Sequence, residues 1–199
     1  MNETFIPASK RLPTQAADGF PRRRWTVAEL EKMIAAGILQ EDERIELVGG
    51  EVVAMSPKGR RHEVLRTELL VYWARVLPAD LKIASETPLR LGDDTEPEPD
   101  LIVYPSTLLA PDLAAATVLL VVEVADSSLI YDLRAKAPIY AASGVPEYWV
   151  INANTLTTRV HRDPRPEGYA SQTEVSAGGR LVPLLAPGLA VRLDELRIV

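Results

Sequence analysis

Cysteine is absent from the 199 residues, and histidine occurs only twice, as His62 and His161. The first absence removes disulfides, thiolate zinc sites and cysteine nucleophiles together. The second excludes a multi-histidine metal centre. A metal bound by this chain would be held mainly by carboxylate and carbonyl oxygens, which favours Mg²⁺, Mn²⁺ or Ca²⁺. No run approaches the roughly 18–20 apolar residues of a membrane span. The N-terminus lacks the charged start and apolar core of a secretion signal, so the expected compartment is the cytoplasm. Excess positive charge is missing too. The formal net charge of −6 argues against a large sequence-independent nucleic-acid surface, while leaving room for a local basic groove. Arg22-Arg23-Arg24 and Lys58-Gly59-Arg60-Arg61 are the two candidate patches, and each also reads as a solvated surface run.

What is present is enough apolar material for one core. The hydrophobic fraction is 47% and the charged fraction 25%, ordinary for a soluble domain. Residues 1–24, with Pro7, Pro13 and Pro21, read as an irregular arm, and residues 25–199 as a single domain. Thr26-Val27-Ala28-Glu29 has the capping-box pattern, so a helix is expected from Thr26 to Gly37. Two β-rich runs, 44–48 and 51–55, flank Gly49-Gly50 and predict a hairpin with a primed turn. In its first strand Ile45 and Leu47 share one face and Glu46 takes the other. A long helix over 60–77 carries Leu65, Leu69, Tyr72, Trp73 and Val76 as its apolar stripe. Strands are expected at 83–91, 100–104 and 118–124. The last of these is the most apolar run in the chain, and therefore central in its sheet. A helix over 129–143 follows, kinked or restarted at Pro138, and then a strand at 146–151. After Asn152 the pattern predicts a meander over 157–161, 169–175, 181–185 and 189–193. The order gives an α/β (α+β) fold: a mixed central sheet flanked by helices, with antiparallel hairpins added at both ends.

Strand parity places Glu123 on the same face as Leu119 and Val121, and a carboxylate on a covered face is costly without a partner. Asp100 opens a strand that should pair nearby, and adjacent strands lie about 4.8 Å apart. The two carboxylates can therefore share one hard cation. On the following helix Leu129, Leu133, Lys136 and Tyr140 form one stripe, which aims Lys136 at that pair. Bland alternatives compete. Asp132 and Lys136 have the spacing of a surface salt bridge, Glu123 can pair with any nearby arginine, and Asp100 after Pro99 can be a turn residue. His161 reads as structural or exposed, and Tyr148 and Trp149 as core.

The motifs also carry a resemblance. Pro99-Asp100 followed by Glu123-Val124-Ala125 resembles the PD-(D/E)XK nuclease pattern, with Ala125 in the place of its final lysine. A wider set is similar to a large bacterial family of restriction-endonuclease-like proteins in that superfamily. It comprises Glu46-Leu47-Val48-Gly49-Gly50-Glu51, Met55-Ser56-Pro57 with His62, Glu123 to Ser128, Asp132 with Lys136 and Tyr140, and Gly144 to Trp149. The resemblance covers roughly residues 25–195 and implies a restriction-endonuclease-like core. It also implies a metal-dependent phosphodiester hydrolase acting on DNA. Asp100 and Glu123, with Glu46 as an outer ligand, would hold Mg²⁺ or Mn²⁺. Lys136 would replace the missing strand lysine, and His62 would sit beside the substrate. From their position, Arg60 and Arg61 would contact phosphates if the start of their helix faces the groove, and cutting both strands would favour a homodimer. The rivals are a non-catalytic nucleic-acid-binding or scaffold protein on the same fold, and hydrolysis of RNA or another phosphodiester.

Overall fold

Strand β5, Leu120–Ala125, is buried along its whole length. Its run Leu-Val-Val-Glu-Val-Ala is what a strand covered on both faces requires. In the computed structural model, which describes residues 22–40 and 42–198, β5 is the third strand of a six-stranded mixed sheet, ordered β3-β4-β5-β6-β7-β8. The other strands are β3 (Leu81–Ser85), β4 (Leu101–Pro105), β6 (Glu147–Asn152), β7 (Thr158–Arg165) and β8 (Gly168–Val175). Only β5 and β6 are parallel, and the remaining pairs are antiparallel. A parallel pair needs a crossover, supplied here by α3 (Leu129–Tyr131), a π turn (Asp132–Lys136) and α4 (Ala137–Ala142).

The alternation of β5 separates two cores. Leu120, Val122 and Val124 pack with Leu65, Leu69 and Trp73 of α2 (Arg60–Val76) and with the C-terminal Leu189, Val191 and Leu193. Val121 and Ala125 pack on the other side with Ala137, Tyr140 and Ala141 of α4 and with Tyr148. On α2, Tyr72 lies half-buried at the border of its core, whereas Val76 is 43% exposed and falls off the expected stripe. At the N-terminal side, α1 (Val27–Ala35) carries the expected box: Glu29 N donates to Thr26 Oγ1, and Thr26 N to Glu29 Oε2. The hairpin β1–β2 (Ile45–Val48, Glu51–Ala54) forms a separate two-stranded sheet. Gly49 and Gly50 have φ of 59° and 78°, the positive values that a primed turn demands.

Four expected elements differ. The strand expected at 83–91 ends at Ser85, because Glu86 turns into the left-handed region at φ 51°. The strands expected at 181–185 and 189–193 are reduced to one bridge, Leu181 with Val191, followed by short 3-10 turns. Pro183, inside the first of them, lacks the N–H a ladder needs, and the 3-10 turn Pro187–Leu189 takes up the start of the second. The helix expected over 129–143 widens at Asp132–Lys136, where Ala137 N donates to Asp132 O. Pro138 would clash with the carbonyl four residues back in a regular helix, and the wider turn relieves that contact. The irregular arm expected over 1–24 lies outside the described residues up to position 21. Among the described residues no helix is long and apolar enough to cross a membrane.

Candidate active site

Asp100 sits immediately before β4, one residue beyond the ladder pair Leu101–Val122, and therefore opposite Glu123 of β5. Ser85 Oγ and Glu86 N donate to its backbone carbonyl, at 3.0 and 3.2 Å. Its Oδ2 accepts from Val124 N at 2.8 Å and lies 2.9 Å from His62 Nε2. Burial disfavours the Asp100 charge. The His62 hydrogen bond and charge, the Val124 N–H and the Lys58 ammonium outweigh that, so its carboxyl is held below the usual aspartate value.

Glu123 is pushed the other way. Burial raises its carboxyl well above the usual range. The Lys136 ammonium opposes this, and the charges of Asp132 and Asp100 add to it. Lys136 Nζ donates to Glu123 Oε1 at 2.9 Å and lies 3.1 Å from Glu46 Oε2. Burial alone would lower the lysine, but Glu123, Glu46 and Asp132 raise it instead. The cluster holds more carboxylates than ammonium groups, so an acid in it also tends to keep a proton. Two facing carboxylates with affinities driven apart are a recurring feature of acid–base sites.

The hairpin brings Glu46 to this place. Its strand parity turns Leu47 into the small core with Val27 and Leu30, and turns Glu46 away from it. The opposite face is covered rather than solvated. Glu46 is buried, its Oε1 accepts from Tyr131 Oη at 3.3 Å, and its Oε2 has no hydrogen bond apart from the Lys136 ion pair. Glu96 N donates to Leu47 O and Gly50 N to Asp94 O, which ties the hairpin to the loop before Asp100.

Asp100, Glu123, Lys136, Glu46 and His62 thus line one cavity of about 290 Å³. Arg60 and Arg61 do not. They are exposed, and they border a second cavity of about 410 Å³ beside Asn154 and Ile198. The run 22–24 is a solvated surface: Arg22 pairs with Glu51, Arg24 with Asp94, and Arg23 with Glu29 while stacking over Trp25. Tyr148 and Trp149 are fully buried, as expected. His161 is a buried residue set against Tyr148 and Tyr169, with neither ring nitrogen hydrogen-bonded.

Asp132 and Lys58 also carry charge into this cavity. Asp132 keeps 2% exposure and Lys136 6%, so the i, i+4 pair is not a surface salt bridge. Asp132 accepts from Ser128 Oγ at 2.6 Å, and burial, the first of its causes, pushes its carboxyl up to about 6. The signal was the four-residue spacing Ser128, Asp132, Lys136, Tyr140. A regular helix rotates such a ladder steadily off its face, and the wide turn holds it in line. Lys58, hidden inside a basic run, points into the cavity and pairs with Glu86 and, at 3.4 Å, with Asp100 Oδ1. Gly59 beside it lies close to the Asp126 carboxylate, which would have to shift to admit a Cβ there.

Comparison with known proteins agrees with this architecture. Residues 27–194 match the family Uma2, "Putative restriction endonuclease". The fold resembles the crystal structure of "a putative nuclease belonging to DUF820" from Anabaena variabilis. The TM-score is 0.67 at 17% identity, over 85% of this chain and 96% of that one. No curated protein matches. The six-stranded mixed sheet with its flanking helices is therefore a nuclease-like fold, and the chain belongs to the Uma2 family of restriction-endonuclease-like proteins.

Proposed function

We propose that this protein is a divalent-metal-dependent endonuclease that hydrolyses phosphodiester bonds in DNA. The observation that carries the reading is the facing pair Asp100 and Glu123 across neighbouring strands, with the Lys136 ammonium 2.9 Å from Glu123. The donor set is of the kind a hard cation takes: carboxylate oxygens of Asp100, Glu123 and Glu46 facing one cavity, with Glu46 Oε2 paired to the Lys136 ammonium at 3.1 Å. Asp100 and Glu123 would hold Mg²⁺ or Mn²⁺, with Glu46 as an outer ligand. When bound, the ion supplies polarisation of the scissile phosphate and activation of water.

The remaining roles fall to the chain. Lys136 Nζ donates to negative charge developing on the phosphate oxygens. Glu46 and Glu123 keep that ammonium protonated and in place. His62 Nε2 fixes the orientation of the Asp100 carboxylate, leaving Oδ1 toward the cavity. Arg60 and Arg61, exposed at the start of α2, would meet flanking phosphates. Two cuts in a duplex call for two sites, which makes a homodimer the natural working form.

One observation favours the non-catalytic alternative. Among the described residues no group of three or more histidine, aspartate or glutamate side chains stands arranged to hold a metal. The carboxylates are occupied instead by Lys136, Lys58 and His62. Calorimetric titration of Mn²⁺ into the wild type and into Asp100→Asn separates the two, repeated with DNA present because substrate phosphate can supply a ligand. A saturable wild-type site lost in the variant is the expected result. No binding under either condition leaves the scaffold reading standing.

A further inference from the structure

The cavity holds a second lysine that the proposed chemistry does not use. Lys58 precedes α2, its side chain is 11% exposed, and its ammonium pairs with Glu86. Asp100 Oδ1 is 3.4 Å away, within ion-pair range but without a hydrogen bond. The two ammonium groups therefore hold different carboxylates: Lys136 bridges Glu123 and Glu46, and Lys58 faces Asp100. Its anchor is built. Glu86 stands at φ 51°, a left-handed conformation a non-glycine residue keeps only when its surroundings enforce it. Arg66 Nη1 pairs with Glu86 Oε2 at 3.3 Å, while the same arginine bonds Ser85 and Glu63.

The cavity walls carry six carboxylates, Glu46, Glu98, Asp100, Glu123, Asp126 and Asp132, against the permanent cations Arg44, Lys58 and Lys136. A phosphodiester enters such a place only where cations can meet it. Resting on the metal-dependent nuclease reading, we infer that Lys58 is a substrate-binding residue that contacts a backbone phosphate. Until metal binds, it serves as a counter-ion to Asp100. A cation held at Asp100 would take up that charge, and like-charge repulsion would turn the Lys58 ammonium away from Oδ1 while Glu86 keeps it at the cavity wall. The ammonium carries three N–H donors, and its bond to Glu86 leaves others free for the incoming phosphate.

The test uses the intact protein, a fluorescein-labelled DNA duplex in Ca²⁺ under conditions where the duplex is recovered uncut, and Mn²⁺ calorimetry without DNA. Lys58→Met should bind the duplex about tenfold more weakly, as expected for one charge-assisted hydrogen bond. Its log-affinity against log-salt slope should be shallower by about 0.9, and Lys58→Arg should restore both. Mn²⁺ affinity of Lys58→Met should equal or exceed that of the wild type, because a competing cation has left Asp100. Unchanged duplex affinity and slope in Lys58→Met overturn the inference while leaving the nuclease reading intact. So does a joint fall in Mn²⁺ affinity and thermal midpoint, which would make Lys58 a pin for the segment before α2. A wild type that binds neither Mn²⁺ nor duplex removes the nuclease reading, and this inference with it.

Discussion

Glu123 and Glu147 are both buried acids, on the neighbouring parallel strands β5 and β6. The molecule treats them in opposite ways. Glu147 Oε1 accepts from Trp149 Nε1 and Arg162 Nε, at 2.8 Å each, and Oε2 accepts from Leu184 N at 2.5 Å. Every lone-pair direction that matters is used, and the acid pins β7 and the C-terminal segment to the sheet. Glu123 has hydrogen bonds only to Oε1, from Lys136 and Tyr140, and it opens on the cavity. A buried acid with both oxygens satisfied is architecture. A buried acid facing a cavity, with its proton affinity raised and a lysine at its side, is a candidate for chemistry.

The largest effect that would sharpen this contrast is on activity. Lys136→Ala should lower DNA cleavage by about 100-fold or more, the scale for losing one donor to developing charge, while Mn²⁺ binding persists. Plasmid nicking beside calorimetry measures both, and wild-type cleavage by the variant would remove Lys136 from the mechanism.

The next effect is on stability. Glu147→Ala should cost about 3 kcal/mol, since it orphans the Trp149 and Leu184 donors and frees Arg162. Glu123→Gln should leave the metal-free protein as stable or more stable, because it relieves repulsion with Asp100 and Asp132. Urea unfolding of the two variants compares them directly, and equal losses would erase the distinction drawn above.

The smallest effect concerns pH. Burial, reinforced by the Arg159 charge, pushes the His161 imidazole down to about 4 from an ordinary value of 6.5. A depressed histidine favours the folded state above its unfolded value, so that stability is lost as pH falls from 6.5 through 4. The loss is at most about 3 kcal/mol by linkage. His161→Phe should flatten this part of the stability–pH curve. A slope unchanged in the variant would show that other groups, Asp100 first among them, carry the acid sensitivity.

Residues near one another in sequence made much of the fold legible. The box at Thr26 and Glu29, the Gly49-Gly50 turn and the apolar run of β5 each depend on interactions spanning only a few positions, and each appears where its pattern predicts. The first of the C-terminal strands failed for an equally local reason, the missing donor of Pro183, and a 3-10 turn over Pro187–Leu189 cuts into the second; the apolar pattern of that segment masks both. Parity gave the direction of Glu123 and of Glu46. It did not reveal that the second face of the hairpin is covered, because covering depends on where the hairpin docks.

The sequence by itself determined most of the elements, the carboxylates at the strand ends and the helical segment that carries Lys136. Periodicity and β-branched runs specify these without reference to distant parts of the chain. Only the tertiary structure decided which charges meet. It buried Asp132 through the π turn that Pro138 imposes, brought Lys58 against Asp100 across 42 positions of sequence, and left Arg60 and Arg61 at another cavity. Ion pairs between distant segments depend on docking geometry and on desolvation, and neither has a period that can be read along a chain.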